Sequence, residues 1–494
     1  MPRTKKEFPE LVSEFGEDVF SCNETAVICK ACSKPFPGAR RFNLSQHIGT
    51  SSHQKALERL RKRQEEEARL QAATCMSDVA PFPLDLCRAL LAADIPVYKL
   101  ENPTLKNFLE TYTTRIIPNE STLRKFYVHE IYEQKMAEIR ESIGESAIWI
   151  SIDETTDFMG RSVAHVIIGA LNNNAPGRPY IMNCEIVERT NAHTVATVFY
   201  KSVEKLWQNE VRHEKVLLFV SDAAPYMIAA GKSLKVFFPN MIHVTCVAHA
   251  LHRVAEQARK IFPNVDRLIA SVKKIFLKAP LRVEAFRSML GGIPLPPQPV
   301  VTRWGTWINA ALYYGEHFEP LKNFVRSHLD SEDSTAIGEA QHLFGLESIR
   351  NDLVLISSSL NTLPRTITLL EASGASLRES LKHLEDFGST INFTRRQKLF
   401  PVKEKFEAVL ARNVGLQTLR EIRSLLDGSS SGGELPSDLE YSVAQFTSFE
   451  FAPIVSCDVE RSFSILKNIL RENRNGLTAA HLREYVVIAC NRES

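Results

Sequence analysis

From Leu84 to Ile143 apolar residues recur at helical spacing, and Pro96, Pro103 and Pro118 cut the run into a bundle of short helices. The period then changes. Ser146 to Ile152 is almost continuously apolar and ends abruptly in Asp153, Glu154, Thr155, Thr156 and Asp157, as a buried strand delivering acids to a sheet edge would. Two more strand-like runs follow, Ser162–Leu171 and Tyr180–Glu188, joined by the turn Asn172–Gly177. His193–Asn209 returns to helical periodicity. Lys215–Val220 is another β-like run that ends in Ser221-Asp222, before a helix near Tyr226–Phe238 and a strand at Met241–Val247. From His252 to about Glu440 the pattern is predominantly helical, broken at Gly291–Val300, with four prolines, and at the Gly/Ser-rich stretch Asp427–Gly433. A core-like pattern resumes from Phe446 to Asn491. Within it Val459, Phe463, Leu466 and Leu470 mark the apolar face of a helix capped by Ser456 or Asp458.

The order β-β-β-α-β-α-β is that of the ribonuclease H-like fold, a mixed sheet whose first and fourth strands lie side by side. The predicted class is therefore α/β, a ribonuclease H-like catalytic core interrupted by an all-helical insertion. Asp153 and Asp222 then stand just past the ends of adjacent strands. Taken alone, Asp153 reads as turn punctuation before it reads as a catalyst, and Glu460 reads equally as a helix-start acid favoured by the macrodipole.

Composition changes this picture little. The chain has 494 residues, 44% hydrophobic and 24% charged, which is ordinary for a globular protein of several domains. A net charge of +2 means that any nucleic-acid affinity must come from clustered basic residues. Nine cysteines are too few for a disulfide scaffold and suggest a reducing compartment. No apolar run approaches the roughly 20 residues needed to cross a bilayer, and the charged N-terminus lacks a signal-peptide core, so an intracellular protein without a membrane partner is expected.

The N-terminus adds distinct chemistry. Cys29-Lys30-Ala31-Cys32, a loop of about 14 residues, and the pair His47 and His53 approach the spacing of a Cys2His2 zinc site. Two thiolates at a turn and two imidazoles one to two turns apart on a helix can close around one ion, and so small a segment needs that staple. Cys22 is a rival ligand whose distance from Cys29 fits no common knuckle. Arg40, Arg41, Gln46 and Lys55 are of types that reach phosphates and base edges, or else form a solvated polar face. Residues 55–72 read as a charged helix whose basic half extends that surface or serves as a nuclear import signal, or equally as a solvated linker helix. Thr74–Pro83 is a domain boundary.

With Leu44-Ser45-Gln46-His47 and Ser52-His53-Gln54-Lys55, the cysteine pair resembles a BED-type zinc finger. Together with Leu90–Pro96 and Pro103–Leu109, the stretch from about residue 10 to about residue 130 is similar to the CGG triplet repeat-binding protein family. Farther on, Glu460-Arg461-Ser462-Phe463-Ser464, Asn473–Leu477 and the run Leu482–Ile488 resemble the C-terminal dimerisation block of hAT-family transposases. Cys246-Val247-Ala248-His249 looks like that family's CxxH motif, and Arg303-Trp304 like its RW motif near the start of a helical insertion. By chemistry alone, Cys246 and His249 read as a buried strand end, and Arg303 and Trp304 as a packed pair or as a phosphate clamp with a stacking ring.

The resemblance implies a DDE-type DNA transposase with catalytic carboxylates Asp153, Asp222 and Glu460, two Mg²⁺ or Mn²⁺ ions at these acids, and Cys246 and His249 as support. It further implies Zn²⁺ on Cys29, Cys32, His47 and His53, double-stranded DNA as partner, self-association at least to a dimer, and a nuclear location. The alternative is a domesticated, non-catalytic DNA-binding regulator. The expected domains are 1–72 (finger and basic helix), 84–143 (helical DNA-binding or dimerisation segment), 144–260 (first part of the core), 261–440 (helical insertion) and 441–494 (the core's C-terminal part).

Overall fold

The computed structural model describes residues 8–16, 19–22, 26–32, 34–58, 81–208, 210–300, 305–393, 396–428, 439–470 and 477–492. Arg303, Trp304, most of the charged helix 55–72, most of the Gly/Ser-rich stretch and Asn473–Gly476 lie outside these described residues. The chain divides into two compact units, 1–87 and 88–494.

In the first unit, a helix Phe8–Phe15 precedes three short antiparallel strands, β1 Phe20–Cys22, β2 Ala26–Cys29 and β3 Lys34–Pro37. Pro35 and Pro37 fall on β3, an edge strand, where a missing N–H costs no ladder bond. Helix Arg41–Ile48 follows, and residues 51–58 are helical again. Leu11, Val12, Val19, Phe20, Val27, Cys29, Ala39 and Leu44 form the core. Eight buried side chains, only Phe20 among them large, are a modest core for a free-standing unit, so a cross-link has much to add.

The second unit is built on a five-stranded mixed sheet of β4 Ala147–Thr156, β5 Ser162–Leu171, β6 Tyr180–Val187, β7 Val216–Ser221 and β8 Ile242–Thr245. Its spatial order is β6-β5-β4-β7-β8, antiparallel from β6 to β4 and parallel from β4 to β8. The first and fourth strands of this sheet are thus parallel neighbours. β4, β5 and β7 are buried almost throughout, which explains their near-continuous apolar runs.

Helices cover both faces. Asn183 on β6 donates to Ser202 Oγ of helix Ala192–Trp207 on one face, and His165 on β5 meets Ser462 of helix Cys457–Ile469 on the other. The chain leaves the sheet through helix Val247–Ile261 and runs through a helical region to helix Val414–Leu426. It then returns through a capping box at Ser442 and Gln445 to helices Cys457–Ile469 and Ala479–Cys490. Asn413 ties that region to the sheet edge: its side chain donates to the Thr245 carbonyl at 2.6 Å and accepts from the Thr245 N–H at 3.1 Å.

Three details depart from the sequence reading. β4 does not stop at Asp153. Pairing with β7 is recorded as far as Ser151–Val220, while pairing with β5 continues to Thr156–Ser162. The helix after β7 spans Pro225–Leu234, and β8 ends at Thr245 because Cys246 already turns into the next helix.

Candidate metal centre and acidic site

His47 and His53 do not share one helix. Gly49 ends the first helix, and Thr50 Oγ1 bridges the break, donating to the His47 carbonyl and accepting from the His53 N–H. That break lets the two rings converge. His47 Nε2 lies 3.1 Å from His53 Nδ1, and the Cys29 and Cys32 sulfurs each lie 3.5 Å from His53 Nδ1. A tetrahedral zinc with Zn–S about 2.3 Å and Zn–N about 2.0–2.1 Å sets sulfur–nitrogen edges of about 3.5 Å and nitrogen–nitrogen edges of about 3.3 Å. The cluster has these dimensions, and its four ligand atoms all lie within 4.8 Å of one another. Burial lowers the pKa of both histidines, with His53 and Lys34 adding to the effect on His47, which favours the neutral imidazoles that metal ligation requires. Cys22 is exposed on β1 and is not part of the group. Cys29, Cys32, His47 and His53 therefore form a Cys2His2-type cluster able to hold zinc. Arg40, Arg41, Gln46 and Lys55 are exposed on this unit, with Phe42 exposed beside them. Arg41 Nε lies 2.6 Å from Glu14 Oε1.

The second site lies at the end of the sheet where β4 and β7 part. Ser151 is level with Val220, so two residues farther along each strand stand Asp153 and Asp222. Asp153 Oδ1 accepts the Glu154 N–H at 2.8 Å, and Asp222 Oδ1 accepts the Ala224 N–H at 3.1 Å. The Asp153 carboxyl is pushed up to about 7. Burial is the main cause; the Glu154 N–H and His249 oppose it, while the negative charges of Asp222 and Glu460 add to it. These two acids thus act on Asp153 from separate parts of the chain.

Glu460, in the first turn of helix Cys457–Ile469, lies 3.5 Å from His249 Nε2. His249 is raised to about 10, first by its hydrogen bond with Cys246, against burial, and then by the charges of Cys246, Glu460 and Asp153. Cys246 is buried against Cys457 and accepts the Ser456 N–H at 3.2 Å. Burial opposes its ionisation, but hydrogen bonds with Cys457 and His249 hold its thiol below the ordinary range. Cys457 escaped the sequence reading, yet it left a trace: Cys457-x-x-Glu460 repeats the offset of Cys246-x-x-His249, and both cysteines open a helix. Tyr226 was missed too. Its hydroxyl donates to Glu154 Oε2 at 2.9 Å and occupies that acid. Asp157 is buried and accepts from the Met159 and Arg161 N–H groups, a turn role.

The structure therefore brings Asp153, Asp222, Glu460, His249 and Cys246 into one neighbourhood. It does not gather the three acids about a single point: among the described residues only the finger quartet has its ligand atoms within 4.8 Å of one another. Carboxylates whose charges act on one buried acid, Asp153, fit divalent cations as a donor set, since hard oxygen ligands suit Mg²⁺. Two ions roughly 3.5–4 Å apart do not require all three acids at one ion.

Residues 118–275 match a family described as a domain of unknown function, DUF659, which is the domain typical of hAT-family transposase-like proteins. The match takes in β4 to β8 with Asp153, Asp222, Cys246 and His249, and stops short of Glu460. No curated protein matches the chain.

Proposed function

We propose that the protein is a hAT-type DNA transposase that cuts transposon ends and joins their 3′-hydroxyls to target DNA. The observation that carries this reading is that Asp153, which lies on a strand parallel and next to the one that leads to Asp222, feels the charges of both Asp222 and Glu460, the latter brought back by the chain after the helical region. In this reading the sheet is a ribonuclease H-like core and the first unit a BED-type zinc finger similar to that of CGG repeat-binding proteins. Double-stranded DNA is the partner, the protein acts in the nucleus as at least a dimer, and Arg40, Arg41, Gln46 and Lys55 of the first unit, and separately Arg303 and Trp304, are its DNA-binding residues. Asp153, Asp222 and Glu460 would together hold two Mg²⁺ or Mn²⁺ ions. Such ions, when bound, activate the attacking oxygen and stabilise the leaving one. His249 holds Glu460 in place from the side of Cys246, and Tyr226 keeps Glu154 out of the donor set.

The test is Mg²⁺-dependent nicking of DNA carrying the source element's terminal repeats by the purified full chain. No nicking, or equal nicking by Asp153→Ala, overturns the enzymatic reading.

One observation favours a second reading, a DNA-binding regulator without catalysis. The finger cluster is closed around one point, whereas the acids are not and already have an imidazolium among them. Under either reading DNA binding falls steeply with salt as counterions are released, and Cys29→Ser weakens it.

A further inference from the structure

The β4–β5 hairpin runs past Asp153 and ends in a turn that carries two large apolar residues into solvent. Phe158 is 49% exposed and Met159 51%. Lone exposed apolar residues are common on protein surfaces, but an adjacent pair at a hairpin tip, where polar residues are the rule, is not explained by folding. Nor is the tip loose. Asp157 Oδ1 accepts the N–H groups of Met159 and Arg161, both at 2.9 Å, and its Oδ2 takes Arg161 Nε at 2.8 Å. The Asp157 N–H donates to the Arg161 carbonyl at 3.0 Å, and Gly160 takes φ +76° to close the turn. The buried Asp157 carboxylate thus fixes the backbone that presents the two side chains.

Position gives the tip a meaning. Asp153 and the tip lie on one strand, and three residues at about 3.3 Å each place Thr156 about 10 Å beyond the acid. The turn adds roughly one such step, and at about 3.4 Å per nucleotide the tip stands about four nucleotides from a phosphate held at Asp153. At the turn end of the hairpin, Ser162 pairs with Val187, so exposed Arg189 just past β6 lies at this end of the sheet and offers a cation to a backbone phosphate.

We infer that Phe158 and Met159 form a wedge that enters the DNA next to the cleavage point and holds one base out of the stack. Apolar side chains inserted at a base step unstack it, and a ring face beneath a displaced base compensates for the lost stacking. The inference rests on the reading of the acidic site as a phosphodiester-cutting centre, since that reading supplies the DNA.

The test uses the full chain and a nicked duplex with thymines placed at about three to six nucleotides from the nick. Permanganate oxidises thymines that are out of the stack. Wild-type protein is expected to raise reactivity near the fourth thymine, and Phe158→Trp to preserve it. The double variant Phe158→Ser/Met159→Ser is expected to lose it and to bind the duplex about tenfold more weakly. Both positions are exposed, so an unchanged urea midpoint verifies the variant's fold. Full reactivity in the double variant overturns the wedge. So does an altered oligomer mass without DNA, which would make the tip a protein contact. Asp153→Ala separates the two ideas: it should keep the thymine signal and lose nicking. Nicking by Asp153→Ala sinks the catalytic reading, whereas a wild type that nicks without the signal sinks the wedge alone.

Discussion

The finger and the acidic site solve the same problem, holding charged or ligating groups together, in opposite ways. In the finger, four ligands from one segment of 25 residues, Cys29 to His53, close on a single point, and the ion they fit would replace a core of eight buried residues as the main source of order. In the second unit the order comes from packing, since β4, β5 and β7 are buried almost throughout. The acids are spread from Asp153 to Glu460, and packing forces them into proximity, at the cost of a carboxyl raised to about 7. Where a site organises the fold, removing its ion should unfold the unit. Where the fold organises the site, removing the site should leave the unit standing and abolish only chemistry.

The largest effect that tests this contrast is loss of the finger. Zinc binding supplies about 10–16 kcal/mol to small zinc domains, more than this core can replace. Chelation, or Cys29→Ser, is therefore expected to unfold residues 8–58 while the sheet unit keeps its thermal transition, as read by amide NMR signals or limited proteolysis. Persistence of the finger's signals after chelation would break the comparison. Next in size is Asp153→Asn, which removes one charge from the converging acids. Nicking should fall by about 10²–10³-fold or more, with the melting temperature unchanged or raised, because burial of an ionisable carboxyl is relieved. A large loss of stability would mean that Asp153 is structural.

The same contrast sets what the sequence revealed. Metal-ligand spacing is a local property, so Cys29, Cys32, His47 and His53 were legible as a set, though the break at Gly49 and Thr50 was not, because it depends on a Thr50 hydroxyl that bridges backbone groups. Periodicity located every strand of the larger sheet, since β4, β5 and β7 are buried on both faces and carry unbroken apolar runs. The end of β4 was misplaced. A polar residue reads as a strand end, yet Asp153 to Thr156 are still paired with β5 after β7 has fallen away. Cys457 and Tyr226 escaped because their partners, Cys246 and Glu154, lie 211 and 72 positions away in sequence. Such contacts are set by tertiary packing, and no window of sequence contains both partners.

A smaller effect probes how the helical region is fastened to the sheet. Gly415, at the start of helix Val414–Leu426, approaches β8 so closely that an added Cβ would lie 2.0 Å from the His243 carbonyl oxygen. Both sides of this contact are backbone, so neither can rotate away. Gly415→Ala should cost about 1–3 kcal/mol and loosen the Asn413 bridge to Thr245, seen as a lower urea midpoint of the larger unit. The finger should not respond.

The smallest effect uses acid. His243 on β8 is half-buried, stacked on Phe219, and hydrogen-bonded at 2.8 Å to Ser221 Oγ, which itself donates to the Asp222 carbonyl. Ser221 therefore accepts from His243 Nε2–H, and burial lowers the ring's pKa to about 4. Above the unfolded value of about 6.5 both states are neutral and the residue contributes no pH dependence. As pH falls below that value, the unfolded chain takes up a proton that the folded one refuses, so stability is lost progressively until the folded pKa is reached. By pH 5 the loss from this one ring is about 2 kcal/mol. Urea melts of the larger unit between pH 8 and pH 5 should show it, and His243→Gln, which keeps a donor for Ser221 and cannot ionise, should flatten that slope by the same amount. If the slope survives the substitution, the acid sensitivity of the sheet arises elsewhere and the ring is not held neutral by its burial.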